Sequence, residues 1–91
     1  MGREGVIGEL RAALEAALAP TALEIIDDSA RHAGHEGARA GGHFRVTLVA
    51  EAFRGRSALE RHRLVYAAVA PLLQGAVHAL NISAHTPDEV H

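Results

Sequence analysis

Cysteine is absent from this 91-residue chain, and so are lysine and tryptophan. Without cysteine no disulfide can staple the fold, no thiolate can act as a nucleophile, and any thiolate ligand to a metal has to come from another molecule. One tyrosine and two phenylalanines leave the core to aliphatic side chains, and the many alanines imply thin helix faces that pack closely. No run of ~18 apolar residues occurs, so no membrane-spanning helix is expected. The segment from Met1 to Glu15 interleaves Arg3, Glu4, Glu9, Arg11 and Glu15 with its apolar positions, unlike the apolar centre of a signal peptide. The expectation is a cytoplasmic protein with no membrane partner. A net charge of −2 and a pI near 6.4 oppose nonspecific coating of nucleic acid, although a local basic cluster is still open. All nine basic residues are arginine, which a GC-rich genome explains as readily as a demand for bidentate contacts.

What is present fits one small domain, because a chain of this length has room for a single hydrophobic core. Residues 1–91 are read as one unit with its core over about 3–87. Val6, Ile7, Leu10, Leu14, Ala17 and Leu18 recur at helical spacing and predict an amphipathic helix ending before Pro20. Leu23 to Asp28, with Ile25 and Ile26, reads as a strand. From Ser29 to Gly42 the chain is rich in glycine and alanine without a period, so 29–42 is expected to be a mobile loop. His43 to Glu51 alternates, with Phe44, Val46, Leu48 and Ala50 on one side and Arg45, Thr47 and Val49 on the other, which predicts a half-buried strand forming a hairpin with the first. Ala52 to Gly55 should turn the chain.

Ser57 and Glu60 have the spacing of a capping box, so a second helix is expected to start near Ala58. Its core stripe is read as Leu59, His62, Tyr66, Val69 and Leu73, widened by Leu64, Val65, Ala68 and Leu72. Pro71 should kink or restart it, with Gly75 closing the end. Val77 to Ala84 is a third strand candidate that can lie parallel to an earlier one after the helical crossover, and Thr86 to Glu89 reads as a cap with at most one helical turn. The expected class is α+β: a three-stranded mixed sheet with helices packed on it, in the order α, β, β, α, β, α.

Five stretches, taken in order, carry a resemblance: Leu23-Glu24-Ile25-Ile26-Asp27-Asp28-Ser29, His43-Phe44-Arg45-Val46, Phe53-Arg54-Gly55, Arg61-His62-Arg63-Leu64-Val65-Tyr66 and Val77-His78-Ala79-Leu80, followed by Thr86-Pro87. Together they resemble the BolA family over nearly the whole chain. The resemblance implies an αββαβ core of the class II KH-like type and two associated roles. One is partnership with a monothiol glutaredoxin in iron–sulfur trafficking or iron and redox regulation; the other is transcriptional regulation. It further implies a [2Fe–2S] cluster bridged between the partners, with a cysteine and a glutathione thiolate from the glutaredoxin side. The histidine of the Val-His-Ala-Leu motif, His78 here, is then a ligand, and His32 matches the loop ligand, with His35 close by. No cofactor is expected to stay tightly bound to the isolated protein, and the free protein is expected to be a monomer. The loop here is longer than the commoner forms and offers two histidines, which leaves the identity of its ligand open.

The residues themselves support part of this. Neutral imidazole is a good ligand for borderline metals and tunes iron–sulfur centres, so a chain without cysteine can supply half of a site. Because ligation needs the neutral ring, binding is expected to weaken as pH falls through ~6.5. His32 and His35, separated by Ala33 and Gly34, are spaced to approach one metal in a turn; with His78 they would make a three-nitrogen zinc site with an open position. His62 is read as a core residue on the helical stripe and His43 chiefly as strand-end packing, with a contribution to the loop's site also open, while His85 and His91 have no motif support. Arg54, Arg56, Arg61 and Arg63 surround a helix N-terminus and form the candidate surface for the alternative, a DNA-binding transcriptional regulator. An enzyme is not expected. Asp27 and Asp28 are adjacent on a strand and point to opposite faces, Ser29 and Ser57 lack any nucleophile-elbow context, and Ser57 is explained as a cap.

Overall fold

The structure, a computed structural model, describes residues 3–28, 42–74 and 77–90. Helix α1 spans Arg3–Leu18 and buries Leu10, Leu14 and Leu18, one per turn, with Val6, Ile7 and Ala13 packed beside them. Ala17, expected on this face, is exposed in a last turn where Leu18 alone reaches the core. The chain then enters strand β1, Ala22–Asp27, which pairs antiparallel with β2, Gly42–Val49. The stretch expected to be a loop lies outside the described residues except at its end, where Gly42 already belongs to β2 and pairs with Val77.

Alternation along β2 holds as far as Leu48, whereas Val49, expected on the more open side, is buried and ends the strand two residues before Glu51. Phe44, Val46, Leu48 and the following Ala50 are buried, while Arg45 and Thr47 are half-buried on the other face. Strand β3, Val77–His85, runs parallel to β2, so the sheet order is β1-β2-β3 with β2 in the middle. Leu23 and Ile25 of β1 and Leu80, Ile82 and Ala84 of β3 join the core from the same side of the sheet as Phe44 and Val46. Helix α1 packs on β1, the second helix packs on β3, and the two helices touch each other, which gives two layers around one core.

After β2 a 3₁₀ turn over Glu51–Phe53 drives the Phe53 ring completely into the core. Gly55 follows with φ of 76°, a left-handed conformation that costs glycine nothing. Ser57 then caps helix α2, Ala58–Ala68, in the anticipated capping box: its hydroxyl accepts from the Glu60 amide at 3.1 Å and its own amide donates to the Glu60 carboxylate at 2.9 Å. The helix ends before Pro71 and restarts as a 3₁₀ turn over Ala70–Gln74, as the missing proline amide requires. The expected closure at Gly75 lies outside the described residues.

The expected core stripe of α2 is corrected. Val65 and Val69 are fully buried with Leu64, Ala68, Leu72 and Leu73 around them, whereas Leu59 is 59% exposed, Tyr66 is 38% exposed and His62 is exposed. Two apolar stripes run along this helix, and the choice between them is made by contacts distant in sequence. Arg61 donates from Nη1 to the Ala84 carbonyl at 3.0 Å, and the Tyr66 hydroxyl donates to the Leu80 carbonyl at 3.3 Å. Both acceptors lie on the outer edge of β3, so these two side chains fix the rotation of the helix and cover a sheet edge at once. His62 is thereby turned to solvent, not to the core.

Candidate functional site

One end of the sheet gathers the C-terminus of β1 and the N-termini of β2 and β3. The Asp28 amide donates to the His43 carbonyl at 2.7 Å, which closes the β1–β2 ladder there. On the other side of β2, Gly42 is opposite Val77 while His43 is opposite Ala79. His78 is therefore the extra residue of a β-bulge, with no residue facing it across the ladder. Bulges of this kind interrupt regular pairing and re-aim side chains, and they concentrate beside functional sites. The Val-His-Ala-Leu motif is thus a backbone irregularity as well as a histidine in a strand.

Beside the bulge an open cleft of about 210 Å³ is lined by Asp28, His43, Phe44, Ala79, Leu80 and Asn81. Arg45, two residues along β2, has a loose ion pair to Asp28, 3.5 Å from Nη2 to Oδ2, and its Nε is buried without a hydrogen-bond partner among the described residues. The cleft floor is apolar where Phe44, Ala79 and Leu80 contribute and polar at Asp28, His43 and Asn81. His43, expected chiefly to serve strand-end packing with a place in the loop's site as the alternative, lines this cleft. Its position at the start of an alternating strand, on the side opposite Phe44, was the available signal; nothing in the sequence pointed to Asn81.

His32 and His35 lie outside the described residues. Both segment ends that flank them, Asp28 and Gly42, are at this end of the sheet. Among the described residues no group of three or more His, Asp or Glu side chains is arranged to hold a metal ion. The donors this end does offer, imidazole and carboxylate without thiolate, suit part of an iron–sulfur ligand set and not a whole one.

The four arginines of the basic segment separate into two pairs. Arg54 bonds Glu51 at 2.8 and 3.0 Å and Asp88 at 2.9 Å. Arg61 holds Glu89 through two bonds of 2.8 and 3.0 Å, and also donates to the carbonyls of Arg56 and Ala84. These two guanidiniums clamp the C-terminal 3₁₀ turn, Pro87–Glu89, whose Thr86 is buried and donates its hydroxyl to Asp88 and its amide to Glu89. The Arg61 guanidinium holds the Glu89 carboxyl down at about 2, and hydrogen bonds from Thr86 and Arg54 keep Asp88 below the usual carboxylate range. Glu51 is likewise lowered by its hydrogen bond from Arg54. Arg56 and Arg63 are exposed and make no ion pair among the described residues.

A family model described as "BolA-like protein" matches residues 14–89, which takes in every strand, helix α2 and the C-terminal clamp. The chain belongs to the BolA family. Human BolA-like protein 1 is similar, 49% identical over 87 residues that make up 91% of this chain and 62% of the relative. This chain thus spans less than two thirds of that protein's length. An Escherichia coli relative named DNA-binding transcriptional regulator BolA is 39% identical over 89 residues, covering 98% of this chain and 79% of the relative. Among solved structures, the BolA domain of SufE1 from Arabidopsis thaliana superposes with a TM-score of 0.81 at 42% identity, covering 99% of each chain. The two helices and three-stranded mixed sheet match these BolA structures, so the α+β class stands. No helix among the described residues is long and apolar enough to cross a membrane.

Proposed function

We propose that this BolA-family chain is a non-enzymatic partner of a monothiol glutaredoxin and contributes histidine ligands to a [2Fe–2S] cluster that the two proteins share. The observation that carries the reading is the meeting of three features at one end of the sheet. His78 sits at the β-bulge, the His43–Asn81 cleft opens beside it, and both ends of the segment bearing His32 and His35 are anchored there. Covalent reach supports a joint site: His32 is four residues from Asp28, so its Cα lies within ~14 Å of it. His78 is the principal ligand, and His32 or His35 supplies a second.

The cluster is cargo for such a protein. It brings the redox and Lewis-acid chemistry of iron, and this chain's residues determine how it is held. Replacing thiolate by imidazole on one iron raises the reduction potential and makes the ligand set protonatable. The thiolates come from the partner and its glutathione, which matches a chain with no cysteine.

Mixing the protein with a monothiol glutaredoxin, glutathione, iron and sulfide should change the visible absorption and circular dichroism of the glutaredoxin cluster. His78→Ala should abolish that change, and the double variant His32→Ala, His35→Ala should weaken it. An unchanged spectrum with the unmodified chain contradicts the proposal.

The name of the Escherichia coli relative keeps a DNA-binding reading in play. Here Arg54 and Arg61 are already matched by Glu51, Asp88 and Glu89, so Arg56 and Arg63 are left to meet phosphate. Salt-dependent DNA binding lost in Arg56→Glu would support it; no retention of DNA even at low salt would remove it.

A further inference from the structure

The 3₁₀ turn after β3 brings two carboxylates to an arginine-rich stretch from which they are distant in sequence. Arg54, Arg56, Arg61 and Arg63 follow closely on one another, and Asp88 and Glu89 of the turn pair with Arg54 and Arg61. The two carboxylates are held differently. Glu89 is the anchor: Arg61, whose side chain is 14% exposed, grips it through bonds of 2.8 and 3.0 Å and carries its guanidinium 6.0 Å from the centre of the Phe53 ring.

Asp88 has another place. Arg54 already has a two-bond pairing with Glu51, and the contact of its Nη2 with Asp88 at 2.9 Å puts a second carboxylate on the same guanidinium. Hydrogen bonds from Thr86 and Arg54 lower the pKa of Asp88, so it is charged at neutral pH. Two carboxylates on one cation leave the group net negative, and it repels phosphate where a lone arginine attracts it. Arginine grips carboxylate and phosphate with the same fork of donors, so a carboxylate seated on Arg54 takes the place of a phosphate. The Arg54–Asp88 pair is also open to water, its side chains 53% and 64% exposed. Exposed pairs of this kind contribute little to stability.

We infer that Asp88 is an autoinhibitory counter-ion: the turn anchored by Glu89 holds it on Arg54 in the position of a phosphate and keeps Arg54 from engaging duplex DNA. This deepens the DNA-binding reading and rests on it. Arg56 and Arg63, which make no ion pair among the described residues, are the cations available while Asp88 is in place. Arg54 is a third, latent one. Once the Asp88 charge is gone, only the exposed pair with Glu51 competes with phosphate for it.

The test measures binding of a labelled DNA duplex to the full chain by fluorescence anisotropy at low salt. The unmodified chain, Asp88→Asn, Arg54→Ala and the double variant form a cycle that isolates the coupling between the two residues. Asparagine keeps an acceptor for the Thr86 hydroxyl and leaves the Arg61–Glu89 anchor untouched, and far-ultraviolet circular dichroism should show the same fold in all four. Asp88→Asn should bind ~5-fold or more tightly than the unmodified chain, with a salt dependence steeper by about one phosphate contact. Arg54→Ala should change affinity by less than ~2-fold in the unmodified chain and cancel the gain in Asp88→Asn. Glu9→Gln removes the same charge from the exposed surface of α1 and should leave affinity within ~2-fold, which separates the contact from net charge. If Asp88→Asn gives no gain, if Glu9→Gln gives the same gain, or if Arg54→Ala costs as much in both backgrounds, the autoinhibitory contact is overturned and the DNA-binding reading stands. DNA bound only after Asp88→Asn upholds the contact and removes DNA binding by the unmodified chain. No retention of DNA by any of the four proteins removes both.

Discussion

His78 shows how much a single residue can owe to backbone register. It is identifiable in the sequence as part of a motif, but its place as the unopposed residue of a bulge depends on β2 and β3 pairing in parallel across a sequence separation of 35, from Gly42 to Val77. His62 shows the reverse. Local pattern assigned it to the core, and tertiary contacts turned it outward. The ion pairs of the C-terminal clamp were equally hidden, since Arg61 and Glu89 are 28 residues apart and nothing local couples them. That clamp has a pH signature. The Glu89 carboxyl is held at about 2, below its ordinary 4.5, by the Arg61 guanidinium. A carboxyl depressed in the folded state contributes stability that is full above the ordinary value and is lost as pH falls towards the depressed one. Denaturant midpoints measured across pH should decline between ~4.5 and ~2, and Glu89→Gln should flatten that part of the profile. Asp88 and Glu51, lowered in the same way, leave some of the slope in place.

Helix α2 is the element on which sequence and structure part. Its start was legible because a capping box is local chemistry: Ser57 and Glu60 satisfy each other's amides within one turn. Its end was legible because Pro71 lacks an amide. Its rotation was not, because Leu59, His62 and Tyr66 form a stripe at the same three- and four-residue spacing as Val65, Ala68 and Leu72. The decision lies with Arg61 and Tyr66, whose donors reach the Ala84 and Leu80 carbonyls of β3. A pair of substitutions checks this directly. Val65→Ala, at a fully buried position, should lower stability by ~2 kcal/mol, whereas Leu59→Ala, at a position 59% exposed, should change it by less than ~0.5 kcal/mol, both measured by urea unfolding. A large loss at Leu59 would return the helix to the orientation its periodicity suggested.

Across the whole molecule, the order of elements and the class of fold could be read in advance because each strand and helix has its own period. Phe44, Val46 and Leu48 alternate, Leu10, Leu14 and Leu18 step by a turn, and the positions between them are polar or small. The site was legible only as residue types. Asp28 follows β1, His43 lies in β2 and Asn81 in β3, and a cleft between them exists only once the sheet is assembled. The assembled sheet has a division of labour: its α2 side carries packing and the clamp, and one end holds His43, the bulge at His78 and the cleft. The proposed role requires this chain to supply imidazole nitrogen to a shared cluster. Pulsed electron paramagnetic resonance tests it most directly, on the reduced cluster formed with an unlabelled glutaredoxin and this chain carrying nitrogen-15 histidine. A strongly coupled histidine nitrogen is expected, its signal changing isotope with the label and losing the His78 contribution in His78→Ala; a nitrogen signal indifferent to the label rules out imidazole ligation by this chain.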